Sequence, residues 1–218
     1  MIRSEKFWDK KAEGYAKSKI ADEATYQKKL AETQQYLKPD MQVLEFGCGT
    51  GSTAIEHAPH VAHIDATDIA DNMLEIARNR AKDAGVENIN FKRCALTELK
   101  SNAASYDAVL GLNIIHLLPE RHAAIVEVAR ILKPGGLFVS STVCLSNSLY
   151  RFASFLVPIG KLFGLLPDFY VLDENELVQE IKDAGFEIES HWHHGKDGIA
   201  VFIIATRLDG VDKLTITD

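Results

Sequence analysis

The chain has 218 residues, enough for one domain with a substantial core, and its 46% hydrophobic and 25% charged residues are those of a folding globular protein. A formal net charge of -7 without any basic run argues against a general electrostatic grip on nucleic acid. Three scattered cysteines are too few for a disulfide framework, the first residues lack the apolar stretch of a signal peptide, and no apolar run reaches the length of a membrane span; a cytoplasmic setting without stable membrane insertion is expected.

Helical periodicity comes first. Residues 7–15 form a short amphipathic piece. After Asp22, a candidate cap, Tyr26, Leu30, Thr33 and Leu37 recur on one face until Lys38-Pro39 ends the helix. Residues 1–40 are therefore expected to form an N-terminal helical cap against the sheet or over the site. From Gln42 onward strand and helix signals alternate, which predicts an α/β domain over 41–207 with a parallel sheet and crossover helices. Strands are expected at 42–46, 61–67, 89–94, 107–112 and 137–143. One helix follows Gly51. Another opens at Asp71-Asn72 and turns Leu74, Ala77 and Ala81 inward. A third, with Pro119 in its first turn, buries Ile125, Val128, Ala129 and Leu132 until Lys133-Pro134-Gly135-Gly136 stops it. Asp173 and Glu176 have the form of a capping box for a helix burying Leu177, Ile181 and Ala184. Residues 186–194 and 199–207, joined by Gly195-Lys196-Asp197-Gly198, predict a terminal antiparallel hairpin, with a tail over 208–218.

The chemistry concentrates where the first strand ends. Val43-Leu44-Glu45-Phe46 is an apolar run closed by Gly47-Cys48-Gly49-Thr50-Gly51. Glycines at alternate positions permit a tight turn and close approach of a ligand to the main chain, and the helix beyond presents unpaired N–H groups to it. A dinucleotide site would space its third glycine three positions after the second; here the spacing is two. Asp68 ends the second strand about 20 residues on, the distance at which a carboxylate accepts ribose hydroxyls. Ile69 follows it and suits an adenine face. Asp65 competes for the ribose, but Asp68 leads directly into the next helix.

Glu45 and the Gly-x-Gly-x-Gly turn resemble motif I of the class I S-adenosylmethionine-dependent methyltransferases. Asp68-Ile69, Tyr106-Asp107, Asn113-Ile114-Ile115-His116, Leu132-Lys133-Pro134-Gly135-Gly136 and Ala184-Gly185-Phe186 follow in family order, in the manner of the small-molecule, quinone-biosynthesis-like group. The resemblance implies a doubly wound, seven-stranded Rossmann-like sheet of order 3-2-1-4-5-7-6 with strand 7 antiparallel. It implies S-adenosylmethionine as cofactor, held by Glu45, Gly47, Cys48, Gly49, Gly51, Asp68, Ile69 and Asn113, with Glu45 orienting the amino group and Tyr15 covering the ligand. The family's Asp after strand three is missing here, so Cys94 or the Ala95 and Leu96 main chain is expected to read the adenine.

The implied reaction is methyl transfer to a small, apolar or aromatic molecule, with His116 as the candidate proton acceptor. Residues 145–170 are apolar and interrupted by Pro158, Gly160, Gly164 and Pro167. They suit a lid over such an acceptor; a homodimer contact, a membrane-surface contact and a core helix pair are the alternatives. No metal site is expected. His191 and His193 share a strand face while His194 points away, and no cysteine or acidic residue stands at matching local spacing. A binding protein without turnover and an NAD-dependent oxidoreductase are the rival functions, the latter disfavoured by the glycine spacing and the hairpin.

Overall fold

The computed structural model describes residues 2–145 and 168–210. Helices α1 (Ile2–Lys17) and α2 (Glu23–Gln34) precede β1 (Gln42–Phe46), α3 (Ser52–His57), β2 (His63–Asp68), α4 (Asp71–Asp83), β3 (Ile89–Arg93), β4 (Tyr106–Leu112), α5 (Arg121–Ile131), β5 (Leu132–Val143), α6 (Glu174–Asp183), β6 (Phe186–His194) and β7 (Ala200–Arg207). The sheet order is β3-β2-β1-β4-β5-β7-β6, and β7 runs antiparallel to both of its neighbours. This is the implied architecture. Residues 146–167, the greater part of the expected lid, and residues 211–218 of the tail lie outside the described residues.

Side-chain alternation divides the core between the two faces of the sheet. On one face Leu44, Phe46, Val109 and Phe138 pack under α5 and α6, which contribute Ile125, Val128, Leu177 and Ile181. On the other, Val43, Ile64, Ala66 and Val139 pack under α3 and α4, which contribute Ala54 and Leu74. Full burial of a leucine or isoleucine is worth about 1.5–3 kcal/mol, so Leu177 and Ile181, both wholly buried, are the main apolar anchors of the short helix α6. Its start is fixed by Asp173, whose carboxylate accepts from the N–H groups of Asn175 (2.8 Å) and Glu176 (3.3 Å). Only this half of the capping box forms between these residues, because Glu176 turns to Arg121 (3.3 Å). Asp22 caps α2 as expected, accepting from Thr25 N–H at 3.0 Å.

Of the boundaries that differ from expectation, three have a visible cause in the packing. β2 starts at His63, because residues 58–60 make a 3-10 turn and Asn88 Nδ2 takes the Ala58 and Val61 carbonyls at 2.8 and 3.1 Å. Pro119 precedes α5 instead of occupying its first turn; Glu120 is the N-cap residue. Lys133-Pro134-Gly135-Gly136 does turn out of line, but within β5. The β4–β5 ladder passes from Tyr106–Leu132 to Ala108–Leu137, so four residues stand opposite Asp107 alone. Asp107 fastens them through Lys133 Nζ at 2.7 Å.

A second irregularity matters more for the site. β6 pairs Ile188 with Ala205 but Ser190 with Ile204, leaving Glu189 as the extra residue of a bulge. Phe186 and Ile188 face the α5–α6 layer, yet beyond the bulge Trp192 packs with the opposite one. The inserted residue exchanges the faces to which odd and even positions belong. His191 and His193 emerge on the α6 side. Ser190, Trp192 and His194 emerge on the α2 side, where Glu32 accepts from Ser190 Oγ and from Trp192 Nε1 (2.9 Å).

Candidate active site

The turn after β1 is built on backbone angles that favour glycine. Gly51, at φ 76°, is sealed in: a Cβ there would lie 2.9 Å from the Ala77 methyl and 3.2 Å from the Phe91 ring. Gly49, at φ 54°, faces outward, its nearest neighbour in that direction being the Tyr15 ring at 4.0 Å. Its N–H donates to Asp68 Oδ2 (2.9 Å), while Asp68 Oδ1 accepts from Ala70 N–H (2.9 Å). The turn and the end of β2 are thereby joined through one carboxylate, which is 9% exposed. Burial raises the Asp68 pKa and the two N–H donors oppose that rise. Asp65, the competitor, is committed elsewhere: Tyr106 Oη donates to it at 2.9 Å and Asn90 Nδ2 at 2.9 Å.

Two cavities meet at this turn. A narrow one of about 150 Å³ runs along Asp68, Ile69, Cys94 and Ala95 beneath Trp8 and Met73. A wide one of about 800 Å³ runs past Glu45 and Cys48 to Tyr26, Lys29 and His194. Tyr15, Gly47, Gly49, Leu112 and Asn113 line both, and so mark the junction. Gly51 lines neither, having a packing role in the turn. His116 also lines neither: its ring packs on Phe169 (centroids 5.2 Å) and its carbonyl accepts Tyr170 N–H (2.9 Å).

The electrostatics of the junction are those of an incomplete site. Glu45 is buried, its Oε2 has no hydrogen-bond partner, and burial, with the nearby Asp68 charge adding to it, pushes its pKa up to about 8. A buried acceptor without a donor costs free energy, and a cationic amino group in the adjoining cleft would supply the donor. Burial pushes the Cys48 thiol well up and the Cys144 thiol to about 12, so neither is a thiolate at neutral pH. Asn113, at φ 56°, holds the left-handed backbone region, its N–H fixed to Ser141 O at 2.7 Å; strain of this sort is characteristic of ligand-binding positions.

Helix α1 roofs the narrow cavity. Ala12 packs with Ala70 and Met73, and Asp9 accepts from Asn72 N–H at 2.9 Å. Arg80 of α4 ties the end of α1 to the glycine turn, donating to Ala16 O (2.7 Å), Thr50 Oγ1 (2.8 Å) and Ser52 Oγ (3.0 Å). Sequence reasoning missed this clamp, and it missed Lys29 and Ser141. Ser141 Oγ sits 3.0 Å from His194 Nε2, 3.5 Å from Lys29 Nζ and 3.4 Å from Asn113 Oδ1. The available signal was the polar run Ser140-Ser141-Thr142 at the end of the apolar Leu137-Phe138-Val139, in the buried stretch 136–142 of β5.

Residues 43–136 match the family model described as a methyltransferase domain. Among curated proteins, an uncharacterized methyltransferase, YcgJ of Bacillus subtilis, is 30% identical over 132 residues, covering 61% of this chain and 52% of that protein. A ubiquinone biosynthesis O-methyltransferase of Maricaulis maris is 29% identical over 128 residues, covering 58% and 49%. The chain spans about half the length of these relatives. Among solved structures, YcgJ superposes with a TM-score of 0.70 at 18% identity, covering 84% of this chain and all (100%) of that one. A geranyl diphosphate C-methyltransferase from Streptomyces coelicolor, solved with S-adenosyl-L-homocysteine, gives 0.69 at 15% identity, covering 85% and 79%. The matched domain, the strand order and the glycine turn together make residues 43–136 similar to a methyltransferase domain, in the seven-stranded fold that the resemblance to the class I S-adenosylmethionine-dependent methyltransferases implied.

Proposed function

We propose that this protein transfers the methyl group of S-adenosylmethionine to a small molecule, apolar or aromatic in its main body, bound in the wide cleft. The observation that carries the reading is the meeting of the two cavities at the glycine turn, with Asp68 in one and the Glu45 carboxyl, whose Oε2 has no partner, in the other. Asp68 would hold the ribose hydroxyls, Ile69 and the Cys94-Ala95-Leu96 segment the adenine, and Glu45 the amino group. When bound, the cofactor supplies a sulfonium methyl that is already electrophilic. The protein's part is then alignment and exclusion of water, a contribution of up to roughly 7–11 kcal/mol in favourable cases. The names of the similar proteins, which include an O-methyltransferase of ubiquinone biosynthesis and a geranyl diphosphate C-methyltransferase, support an acceptor of this size and character.

An acceptor that arrives protonated needs a group to take its proton. Two imidazoles are kept neutral for this by burial, His116 and His194, each with its pKa pushed down to about 4. His194 has the better position, because it lines the wide cleft and hydrogen-bonds Ser141 beside Asn113. Separate His116→Gln and His194→Gln variants divide the roles: loss of the pH dependence of turnover identifies the proton acceptor. Calorimetry with S-adenosylmethionine, S-adenosylhomocysteine and NAD tests the cofactor class, and preferential NAD binding overturns the reading. Methyl-transfer assays over a panel of phenols, aromatic amines and prenyl compounds test turnover; binding of the cofactor without transfer to any of them would leave a sensor.

A further inference from the structure

The bulge at Glu189 assembles a second group of functional side chains, away from both cavities. His191 and His193, two residues apart on the α6 face of β6, meet Glu174 in the first turn of α6. His191 Nε2 lies 2.8 Å from Glu174 Oε1 and His193 Nε2 lies 2.8 Å from Glu174 Oε2. One ligand atom from each residue falls within 4.8 Å of the others, and the two rings stand 5.7 Å apart at 44°. We propose that these three side chains form a binding site for a divalent transition-metal ion, one that ties the first turn of α6 to the edge strand β6.

The chemistry of the donor set names the class of ion. Two imidazole nitrogens and one carboxylate oxygen suit Zn²⁺, Ni²⁺ and Cu²⁺, and are a poor set for Mg²⁺ or Ca²⁺, which take mainly oxygen ligands. In a tetrahedral zinc site, bonds of about 2.0–2.1 Å put neighbouring ligand atoms about 3.3 Å apart. The two nitrogen–carboxylate separations are those of hydrogen bonds, each to its own oxygen, so each ring and its carboxylate oxygen need to part by only about half an ångström, with the two nitrogens already within 4.8 Å of each other. An incoming ion takes the Nε2 lone pairs, and the proton of each neutral ring then resides on Nδ1. The supports are fixed: Glu174 follows the Asp173 cap, and the histidines stand on a paired strand. Asp173 and Glu176 add negative charge nearby, while Arg121, paired with Glu176 and Glu180, and the positive end of α6 oppose it. With Glu174 partly buried and His193 more than half exposed, solvent fills the remaining coordination positions. The site is open, and its affinity belongs in the micromolar range, not that of a closed four-ligand site.

The test uses untagged, chelator-stripped protein titrated with Zn²⁺ by calorimetry and with Co²⁺ by visible absorption. One equivalent should bind, with a tetrahedral-type Co²⁺ spectrum. H191A, H193A and E174Q should each weaken binding at least tenfold while binding of S-adenosylhomocysteine, followed in parallel, reports that the fold is intact. Saturating Zn²⁺ should raise the melting temperature of the wild type and of none of the three variants. Substoichiometric binding, or E174Q binding as tightly as the wild type, overturns the proposal and leaves a surface histidine pair hydrogen-bonded to a glutamate.

Discussion

Under the proposed function Asp68 and Glu45 divide the cofactor's polar groups between them, and each makes a separate prediction. Asp68→Ala removes the ribose acceptor and the anchor of Gly49 N–H together; S-adenosylhomocysteine affinity should fall by about 1.5–3 kcal/mol, the range for hydrogen bonds to a charged group, as measured by calorimetry. Unchanged affinity would remove Asp68 from the site. Glu45 carries a proton up to about pH 8 in the free protein. A cationic amino group beside it favours the carboxylate, so binding releases that proton. Calorimetry at pH 6.5 in buffers of different ionisation enthalpy should detect release approaching one proton, declining above pH 8, where Glu45 is already ionised. Glu45→Gln should abolish the release. At this scale the glycine turn and the two carboxylates beside it were readable, because the glycine spacing and the strand-end carboxylates are local in the chain. Lys29, Ser141 and His194 were harder to read, since they converge from α2, β5 and β6, and only pairing in the sheet brings them together.

Among the elements, α1 and β6 show what local pattern can and cannot reveal. The amphipathic start of the chain suggested a helix over the site, but its fastening depends on Arg80, 64 residues beyond Ala16. Arg80→Met should loosen α1 without disturbing the sheet: S-adenosylhomocysteine should dissociate about tenfold faster, corresponding to the ~1.5 kcal/mol of one charge-assisted hydrogen bond, and limited proteolysis should cut sooner between α1 and α2. Equal dissociation rates would mean that α1 is held by its apolar contacts alone. β6 was legible as a strand with His191 and His193 on a common face. Which layer that face met was not, because a bulge has no fixed sequence signature and one unpaired residue reverses every assignment after it. The acidic partner missing from the local spacing was Glu174, supplied by the preceding helix.

For the molecule as a whole, buried imidazoles set the acid limit. His57 and His116 are 1% and 7% exposed, and burial lowers each to about 4 from the ordinary 6.5. Because the folded values are depressed, the unfolded chain takes up these protons first; the stability the two groups contribute is present above pH 6.5 and is lost as pH falls toward 4. A shift of this size corresponds to at most about 3 kcal/mol per group. Glu45 acts in the opposite sense, since its raised value makes folding less favourable as pH rises from 4.5 to 8. Urea midpoints should therefore peak at about pH 6–7, and His57→Gln should flatten the acid side of the curve. An acid side of unaltered slope would show that His57 is not kept neutral. The order of the strands was available from the βα rhythm and the terminal hairpin. The division of the core into two layers also follows from alternation along each strand, except where β5 and β6 carry their irregularities.

The roof over the narrow cavity has a kinetic corollary. Ser4, Trp8 and Tyr15 of α1 line the narrow cavity, and Ser4 Oγ donates to Asp168 at 2.6 Å, whereas the wide cleft is bordered by the exposed link between α1 and α2. With donor and acceptor placed as proposed, the two ligands have separate doors, and helix α1 lies across that of the donor. Turnover should be ordered, with the donor entering first and its demethylated product departing last. In steady state, S-adenosylhomocysteine should compete with the donor and inhibit noncompetitively against the acceptor. The slow step should then be the lifting of α1, not the transfer itself, and a burst of methylated product in the first turnover would reveal it.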